Sequence, residues 1–148
     1  MSWCVTNALP RQARVAAYEP LRTEPGSIEL LSELTSAGFQ VIVPITRPDN
    51  DLDWVEWMPT RRRPAPLGIG AISDAALVLV PAFAADATGR RLGRGGGSYD
   101  RALARVPAHV PICALLFRGE LLASVPVDEW DLPVTAAVTP DGWRDLGP

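Results

Sequence analysis

The chain contains no lysine; all 14 of its basic residues are arginine. A Walker A phosphate loop, which needs a Lys, is therefore excluded. There is one histidine, His109, between Val106-Pro107-Ala108 and Val110-Pro111. With no second His, no Cys ligand and no Ser partner in a recognisable arrangement, it reads as a loop residue, which argues against zinc and against a Ser-His-Asp triad. The two cysteines, Cys4 and Cys113, lie far apart and form no CxxC. Both read as reduced thiols of a cytoplasmic protein rather than as a disulfide framework. No run of about 18 apolar residues exists, so no membrane-spanning helix is expected. The first residues show no basic start followed by an apolar stretch, so no signal peptide is expected. A formal charge of −3 gives no general pull toward nucleic acid or anionic membrane.

What is present is one domain's worth of core, 148 residues with 47% hydrophobic content. Val15–Tyr18, Phe39–Ile45, Ala75–Pro81, Pro111–Phe117 and Val134–Thr139 read as apolar strands. Ile28, Leu30, Leu31 and Leu34 give a helical pattern, with Ser27 as N-cap and Gly38 as C-cap. Asp53–Met58 reads as an edge strand or hairpin arm, and Thr60–Pro66 as loop. Ile69–Ala76 reads as a short helix, and Tyr99–Arg105 as another that ends before Pro107. Alternating strands and helices, with strands apolar throughout, predict a three-layer α/β/α fold with a mostly parallel central sheet. Ligands bind such sheets beyond the carboxyl ends of the strands.

The segment after the Ala75–Pro81 strand carries the most chemistry. Gly93, Gly95, Gly96 and Gly97 lie between Arg91, Arg94 and Arg101, and Ser98-Tyr99-Asp100 opens a helix. Glycines admit a ligand close to the backbone, and arginines suit phosphate. The loop thus looks built for a polyphosphate, with Asp100 placed to hold a metal against it. On the glycines alone, a flexible surface turn is an equal reading. The spacing does not fit the dinucleotide fingerprint. The preceding strand, the acidic turn, the arginine pairs and the Tyr-Asp-Arg ending weigh against a plain turn.

Arg91-Leu-Gly-Arg-Gly-Gly-Gly-Ser-Tyr-Asp-Arg101, preceded by Val80-Pro81 and Asp86, closely resembles the signature loop of the 5-formyltetrahydrofolate cyclo-ligases. Val15-Ala-Ala-Tyr18, Glu24 and Val41-Ile-Val-Pro44 resemble that family upstream. Pro48-Asp-Asn-Asp-Leu-Asp-Trp54 resembles its actinobacterial branch. Val125-Pro-Val-Asp-Glu-Trp-Asp131-Leu-Pro-Val134 and Val138-Thr139 resemble its closing segment. The resemblance implies ATP- and Mg²⁺-dependent conversion of 5-formyltetrahydrofolate to 5,10-methenyltetrahydrofolate, with a reduced folate as partner. It implies an ATP-binding loop of Arg91, Leu92, Gly93, Arg94, Gly95, Gly96, Gly97, Ser98 and Tyr99. Arg94 to Ser98, with Glu24, would also face the folate. Asp100 and Asp131 would hold Mg²⁺, and Arg94 and Asp100 are the catalytic candidates. Read without the family, Asp100 is a helix N-terminal charge, Asp131 a turn residue before Pro133 and Glu24 a first-turn acid.

Departures from the family are specific. Its N-terminal helix carries a Lys and an Arg that reach the ATP phosphates, whereas this chain begins at about the first strand. Residues 1–148 are therefore expected to be a single, N-terminally short domain, and a monomer. Arg11 or Arg14 would replace those contacts only if Met1–Pro10 folds back. The family's Gly-x-x-Glu-Pro element has no counterpart between Trp57 and Leu67, and Ser98 replaces an aromatic residue. The alternative reading is a shortened, weakly active or non-catalytic homologue that binds nucleotide or folate, or serves as a partner subunit. Arg61-Arg62-Arg63 reads as a solvated loop, or as a patch for an anionic folate tail. Of Trp3, Trp54, Trp57, Trp130 and Trp143, most read as packing residues. Trp54 and Trp57 are the two with a possible place at a pteridine pocket.

Overall fold

The computed structural model describes residues 9–60, 62–126, 128–129 and 131–147. Cys4, Trp3, Arg61, Trp130 and the Met1–Ala8 part of the N-terminal segment lie outside them. A seven-stranded sheet runs in the order β10-β9-β7-β4-β1-β2-β3. Its strands are β1 (Arg14–Ala16), β2 (Gln40–Thr46), β3 (Leu52–Glu56), β4 (Ala75–Pro81), β7 (Ile112–Leu115), β9 (Ala136–Thr139) and β10 (Gly142–Asp145). Neighbours from β2 to β9 pair in parallel, and the two edge strands pair antiparallel. A smaller sheet, β6-β5-β8, is built from β5 (Ala84–Asp86), β6 (Arg91–Leu92) and β8 (Leu121–Leu122).

Strand residues alternate between two cores, as the period of two requires. Val15, Val41, Val43, Leu77, Leu79 and Cys113 face one side. Ala16, Ile42, Val78, Val80, Ala114 and Ala137 face the other. Helix α1 (Ile28–Ser36) covers the first side with Leu31 and Leu34. A 3-10 helix (Ile69–Asp74) and helix α2 (Ser98–Leu103) cover the second with Ala71, Ile72, Ala102 and Leu103. This is the expected three-layer α/β/α arrangement. Burial of each large side chain is worth about 1.5–3 kcal/mol, so both faces need their cover.

The ends of α1 follow from its sequence. Ser27 Oγ accepts the Leu30 N–H at 3.1 Å. At the other end Gly38 N–H donates to Thr35 O, and Phe39 N–H donates to Leu34 O. These two bonds form a Schellman motif around Gly38, with Phe39 and Leu34 sharing one apolar cluster. Asp53–Met58 is realised as the edge strand β3.

Several elements differ from the sequence expectation. The segment read as a helix over Ile69–Ala76 is a tighter 3-10 turn ending at Asp74, because Ala75 already belongs to β4. The stretch after β4 is no simple loop; its two- and three-residue strands β5 and β6 are too short to leave an alternation in the sequence. Strand β10 is exposed along its whole length, so it too carries no apolar pattern.

The turn between β5 and β6 anchors the closing segment. Asp86 Oδ1 accepts from Thr88 N–H, Thr88 Oγ and Arg90 N–H, and Oδ2 accepts from Val125 N–H at 3.0 Å. The Thr88 hydroxyl bond chiefly holds the Asp86 carboxyl below its ordinary pKa. Gly89 O accepts from Val134 N–H at 2.8 Å. The stretch from Val125 to Val134, which carries Asp131, is thus tied at both ends to residues 86–89. Gly89 sits at φ +89, and a Cβ there would lie 2.3 Å from Val134 O. Gly89→Ala is expected to cost about 2 kcal/mol or more, read as a lower urea midpoint with unchanged slope. An unchanged midpoint would show that the tie is dispensable.

Candidate active site

Five parallel strands send their carboxyl ends to one edge of the sheet. Chain order reverses there between β1 and β4: β1 leads to β2 on one side, and β4 leads to β7 on the other. A cavity of about 880 Å³ opens at this point. Tyr18, Glu19, Leu21 and Glu24 line it after β1, Thr46 and Leu52 from the β2–β3 hairpin, and Pro81 to Phe83 from the end of β4. Every residue from Arg91 to Arg101 lines it, as do Asp128 and Asp131. Glu24, the Arg91–Tyr99 loop, Asp100 and Asp131 therefore share one cavity, although they span more than a hundred positions.

Arg91 organises the wall. It is only 8% exposed. Its Nη1 donates to Pro81 O at 3.3 Å, its Nη2 lies 3.6 Å from Asp100 Oδ1, and its guanidinium sits 5.8 Å from the Tyr99 ring centre. A Cβ on Gly93 would come within 2.5 Å of Arg91 Nη1, so glycine at this position makes room for the guanidinium. Burial pushes the Tyr99 phenol well above its ordinary pKa; Arg91 opposes this and Glu24 adds to it. Tyr99 thus stays a neutral hydrogen-bond donor. Its hydroxyl and Arg91 Nε are both buried without a protein partner.

Glu24 and Arg94 face each other across the cavity. Glu24 Oε2 accepts from Leu21 N–H at 2.9 Å, and Oε1 lies 3.2 Å from Arg94 Nη2. The Arg94 guanidinium also lies 5.9 Å from the Phe83 ring centre. Gly97, at φ +73, is the N-cap of α2 and turns the chain from the loop into the helix. Asp100 Oδ1 accepts from Leu132 N–H at 3.1 Å, and Asp131 Oδ2 from Asp128 N–H at 2.8 Å. The residue after Asp131 is thereby bonded to Asp100, which brings the two acids to the same wall. Among the described residues, no group of three or more His, Cys, Asp or Glu is arranged to hold a metal by itself.

Other residues lie away from the cavity. Arg14 donates from Nε to Gln40 Oε1 and from Nη1 to Ala71 O, both at 2.8 Å. It starts β1, at the amino end of the strands, and neither it nor Arg11 lines the cavity. The condition set for either to replace a phosphate contact, a fold-back of Met1–Pro10, falls largely outside the described residues. Trp54 and Trp57 do not edge the pocket either. Trp54, in β3, is fully buried in one core, and Trp57, just past the strand, packs in the other. Among the described residues, the aromatic ones at the cavity are Tyr18, Phe83 and Tyr99. Phe83 was not legible as a site residue, since it lies in the unrecognised stretch before β5. Of the arginine run, Arg63 pairs with Glu19 at 3.0 Å on the cavity rim. His109 is exposed in a turn, as read. Burial pushes the Cys113 thiol up to about 12, so it is an inert core residue.

The model of the 5-formyltetrahydrofolate cyclo-ligase family matches residues 5–140. The chain belongs to the 5-formyltetrahydrofolate cyclo-ligase family. It is 38% identical over 141 residues to the 5-formyltetrahydrofolate cyclo-ligase of Mycolicibacterium smegmatis, covering 85% of this chain and 73% of that one. It is 39% identical over 66 residues to the Escherichia coli cyclo-ligase, covering 43% and 36% of the two chains. Among solved structures, the 5,10-methenyltetrahydrofolate synthetase of Aquifex aeolicus superposes with a TM-score of 0.72 at 24% identity, covering 93% of this chain and 73% of the other. That of Mycoplasma pneumoniae gives 0.70 at 20% identity, with coverages of 90% and 78%. These two share the cyclo-ligase fold.

The packing of Arg91 yields a measurable expectation. Gly93→Ala should drive the guanidinium off Tyr99 and Asp100 and cost about 1 kcal/mol. In an Arg91→Met background the same change should cost almost nothing. Thermal melts of the four proteins check this; equal costs in both backgrounds would remove Arg91 as the reason for Gly93.

Proposed function

We propose that this chain is a 5-formyltetrahydrofolate cyclo-ligase that uses ATP and Mg²⁺ to make 5,10-methenyltetrahydrofolate, ADP and phosphate. The observation that carries the reading is one cavity that brings Glu24, the arginine-glycine loop, Asp100 and Asp131 together at the switch point of a parallel sheet. The γ-phosphoryl group would pass to the formyl oxygen of the folate. Attack of N10 on the activated carbon would then expel phosphate. This chemistry needs positioning and charge neutralisation rather than a nucleophilic side chain. The cavity offers arginines, carboxylates and close backbone, and no such nucleophile is required of it.

Each part has a role in this reading. The loop from Arg91 to Tyr99 cradles the phosphates, with Arg94 countering charge that grows during transfer. Glu24 and Arg94 to Ser98 meet the folate, and Tyr18, Leu21 and Phe83 keep the folate side apolar. Asp100 and Asp131 each spend one carboxylate oxygen on a backbone N–H, which leaves capacity for a cation. Mg²⁺ held by this pair, with phosphate oxygens and water completing its shell, would neutralise the triphosphate. The buried thiol of Cys113 suits a reducing compartment, and we infer a cytoplasmic location.

Turnover is read from methenyl-tetrahydrofolate absorbance, which should rise only with ATP and Mg²⁺ present. Absence of product with nucleotide still bound would favour the non-catalytic homologue. A Cβ at Gly96 meets only Ser98 Oγ, at 3.9 Å, so the fold should tolerate Gly96→Val. Calorimetry should show Mg-ATP binding in the parent and none in this variant; equal affinity would rule out the loop as the phosphate site. Asp100→Asn and Asp131→Asn should each lower kcat on the order of 10²–10³-fold and raise the Mg²⁺ concentration for half-activity. An unaltered Mg²⁺ dependence in either would remove that residue from the metal site.

A further inference from the structure

Helix α2 is too short to hold itself in place. It has six residues, and its N-cap, Gly97, provides no side-chain bond. Isolated helices of this length do not persist in water. Yet Ser98, Tyr99, Asp100 and Arg101 all depend on it for their place in the cavity. The apolar contacts of Ala102 and Leu103 bury one face and are not directional, so they set the depth of the helix better than its angle.

Two arginines grip the helix from another side. Arg101 belongs to the last turn of α2, and Arg105 lies two residues past its end. Both reach the turn that joins β2 to β3. Arg101 Nη1 donates to Asp49 O. Arg105 forks onto Asp51, with Nη1 to Oδ1 at 2.7 Å and Nη2 to Oδ2 at 2.6 Å. The turn is itself fixed: Asp51 N–H donates to Asp49 Oδ1 at 3.1 Å, and Arg47 N–H donates to Asp51 O at 2.9 Å. Thr46 and Leu52, on either side of this turn, line the cavity. The fork therefore joins the cavity's two walls, and neither Asp51 nor Arg105 lines the cavity.

We propose that Asp51 and Arg105 are positioning residues that set α2 against the β2–β3 turn, and thereby hold Asp100, Tyr99 and the end of the glycine loop in register on the phosphate side. A planar, bidentate pair fixes angle as well as distance, which a point contact does not. Its desolvation makes it a poor source of net stability compared with an apolar contact, and geometric definition is what it supplies instead. Arg105 holds the Asp51 carboxyl down at about 2, so the fork stays charged at any working pH. Of the residues given to the folate, Glu24 lies on the β1–α1 connection and Arg94 pairs with it, both away from this fork, and only Ser98 belongs to α2. Loss of the fork should therefore weigh more on the nucleotide than on the folate.

This inference rests on the cyclo-ligase reading, and steady-state kinetics separates the two. The parent, Asp51→Asn and Arg105→Lys are compared with each substrate varied in turn. The expected result in both variants is a kcat lower on the order of 10²-fold, a KM for Mg-ATP raised about tenfold and a KM for 5-formyltetrahydrofolate within about twofold of the parent. The double variant should be little worse than either single one, because both break the same fork. Unchanged KM values with only a lower melting temperature would assign the pair to stability and overturn the proposal. So would a parallel rise of both KM values. If Asp51→Asn does not fold, Arg105→Lys, which keeps the charge and loses the fork, decides by the same outcomes. Failure of both to fold also assigns the pair to stability alone. A parent without turnover would instead overturn the functional reading, and this inference with it.

Discussion

The parallel pairing of β2, β1, β4, β7 and β9 is the constraint on which the rest of the molecule depends. Parallel strands share a direction, so every segment that leaves their carboxyl ends starts from the same edge. Glu24 leaves from β1, the glycine loop from β4 and Asp131 from the long return between β7 and β9. These segments are remote in sequence and have no local reason to meet. Reversal of the chain between β1 and β4 spreads their loops apart, and the cavity occupies the gap. The small β6-β5-β8 sheet then steadies the far wall. Asp86 and Gly89 in its turn hold the segment that returns with Asp131.

Within that frame the loop is shaped around one buried cation. Withdrawing the Arg91 guanidinium from water is costly unless its hydrogens find acceptors. Pro81 O, Asp100 and the Tyr99 ring meet much of that demand. A lysine could not serve in the same place, because a point charge cannot stack on a ring while directing donors in a plane. Arg91 Nε and the Tyr99 hydroxyl remain without protein partners. An unsatisfied buried group costs about 1–3 kcal/mol. Such capacity at a cavity wall is what a polar ligand or an ordered water would use.

Legibility in the sequence followed the range of the interaction. The α1 helix was readable because its cap, apolar stripe and terminating glycine all lie within a dozen residues. The Arg91–Asp100 loop was readable because its chemistry is contiguous. Trp54 and Trp57 read as packing residues, but which of the two cores each enters depends on register, here that of β3 on β2. The place of Arg14 at the amino end of β1 depends likewise on the sheet rather than on its neighbours in sequence. The Asp51–Arg105 fork joins residues 54 positions apart and left no trace in either local pattern. Strands of two or three residues, such as β5, β6 and β8, are held by their neighbours rather than by their own propensity, so nothing in their composition announces them.

The charges around the cavity bear on the form in which a nucleotide would enter it. Among the described residues, Glu19, Glu24, Asp100, Asp128 and Asp131 line it, against Arg91, Arg94 and Arg101. Carboxylates outnumber guanidiniums, and the guanidiniums are engaged already: Arg91 with Asp100, Arg94 with Glu24, and Arg101 with Asp49 O. With a net charge of −3 on the whole chain, long-range attraction of a polyphosphate is also absent. A triphosphate brought in alone would meet excess negative charge and would have to break ion pairs to gain new ones. In the proposed reading, Mg²⁺ arriving with the triphosphate would bring neutralising charge to Asp100 and Asp131, and Asp100 would no longer depend on Arg91 for a counter-charge. An acidic excess of this kind would favour a metal–nucleotide complex over the free nucleotide, through residues whose positions the sheet, the β5–β6 turn and α2 fix.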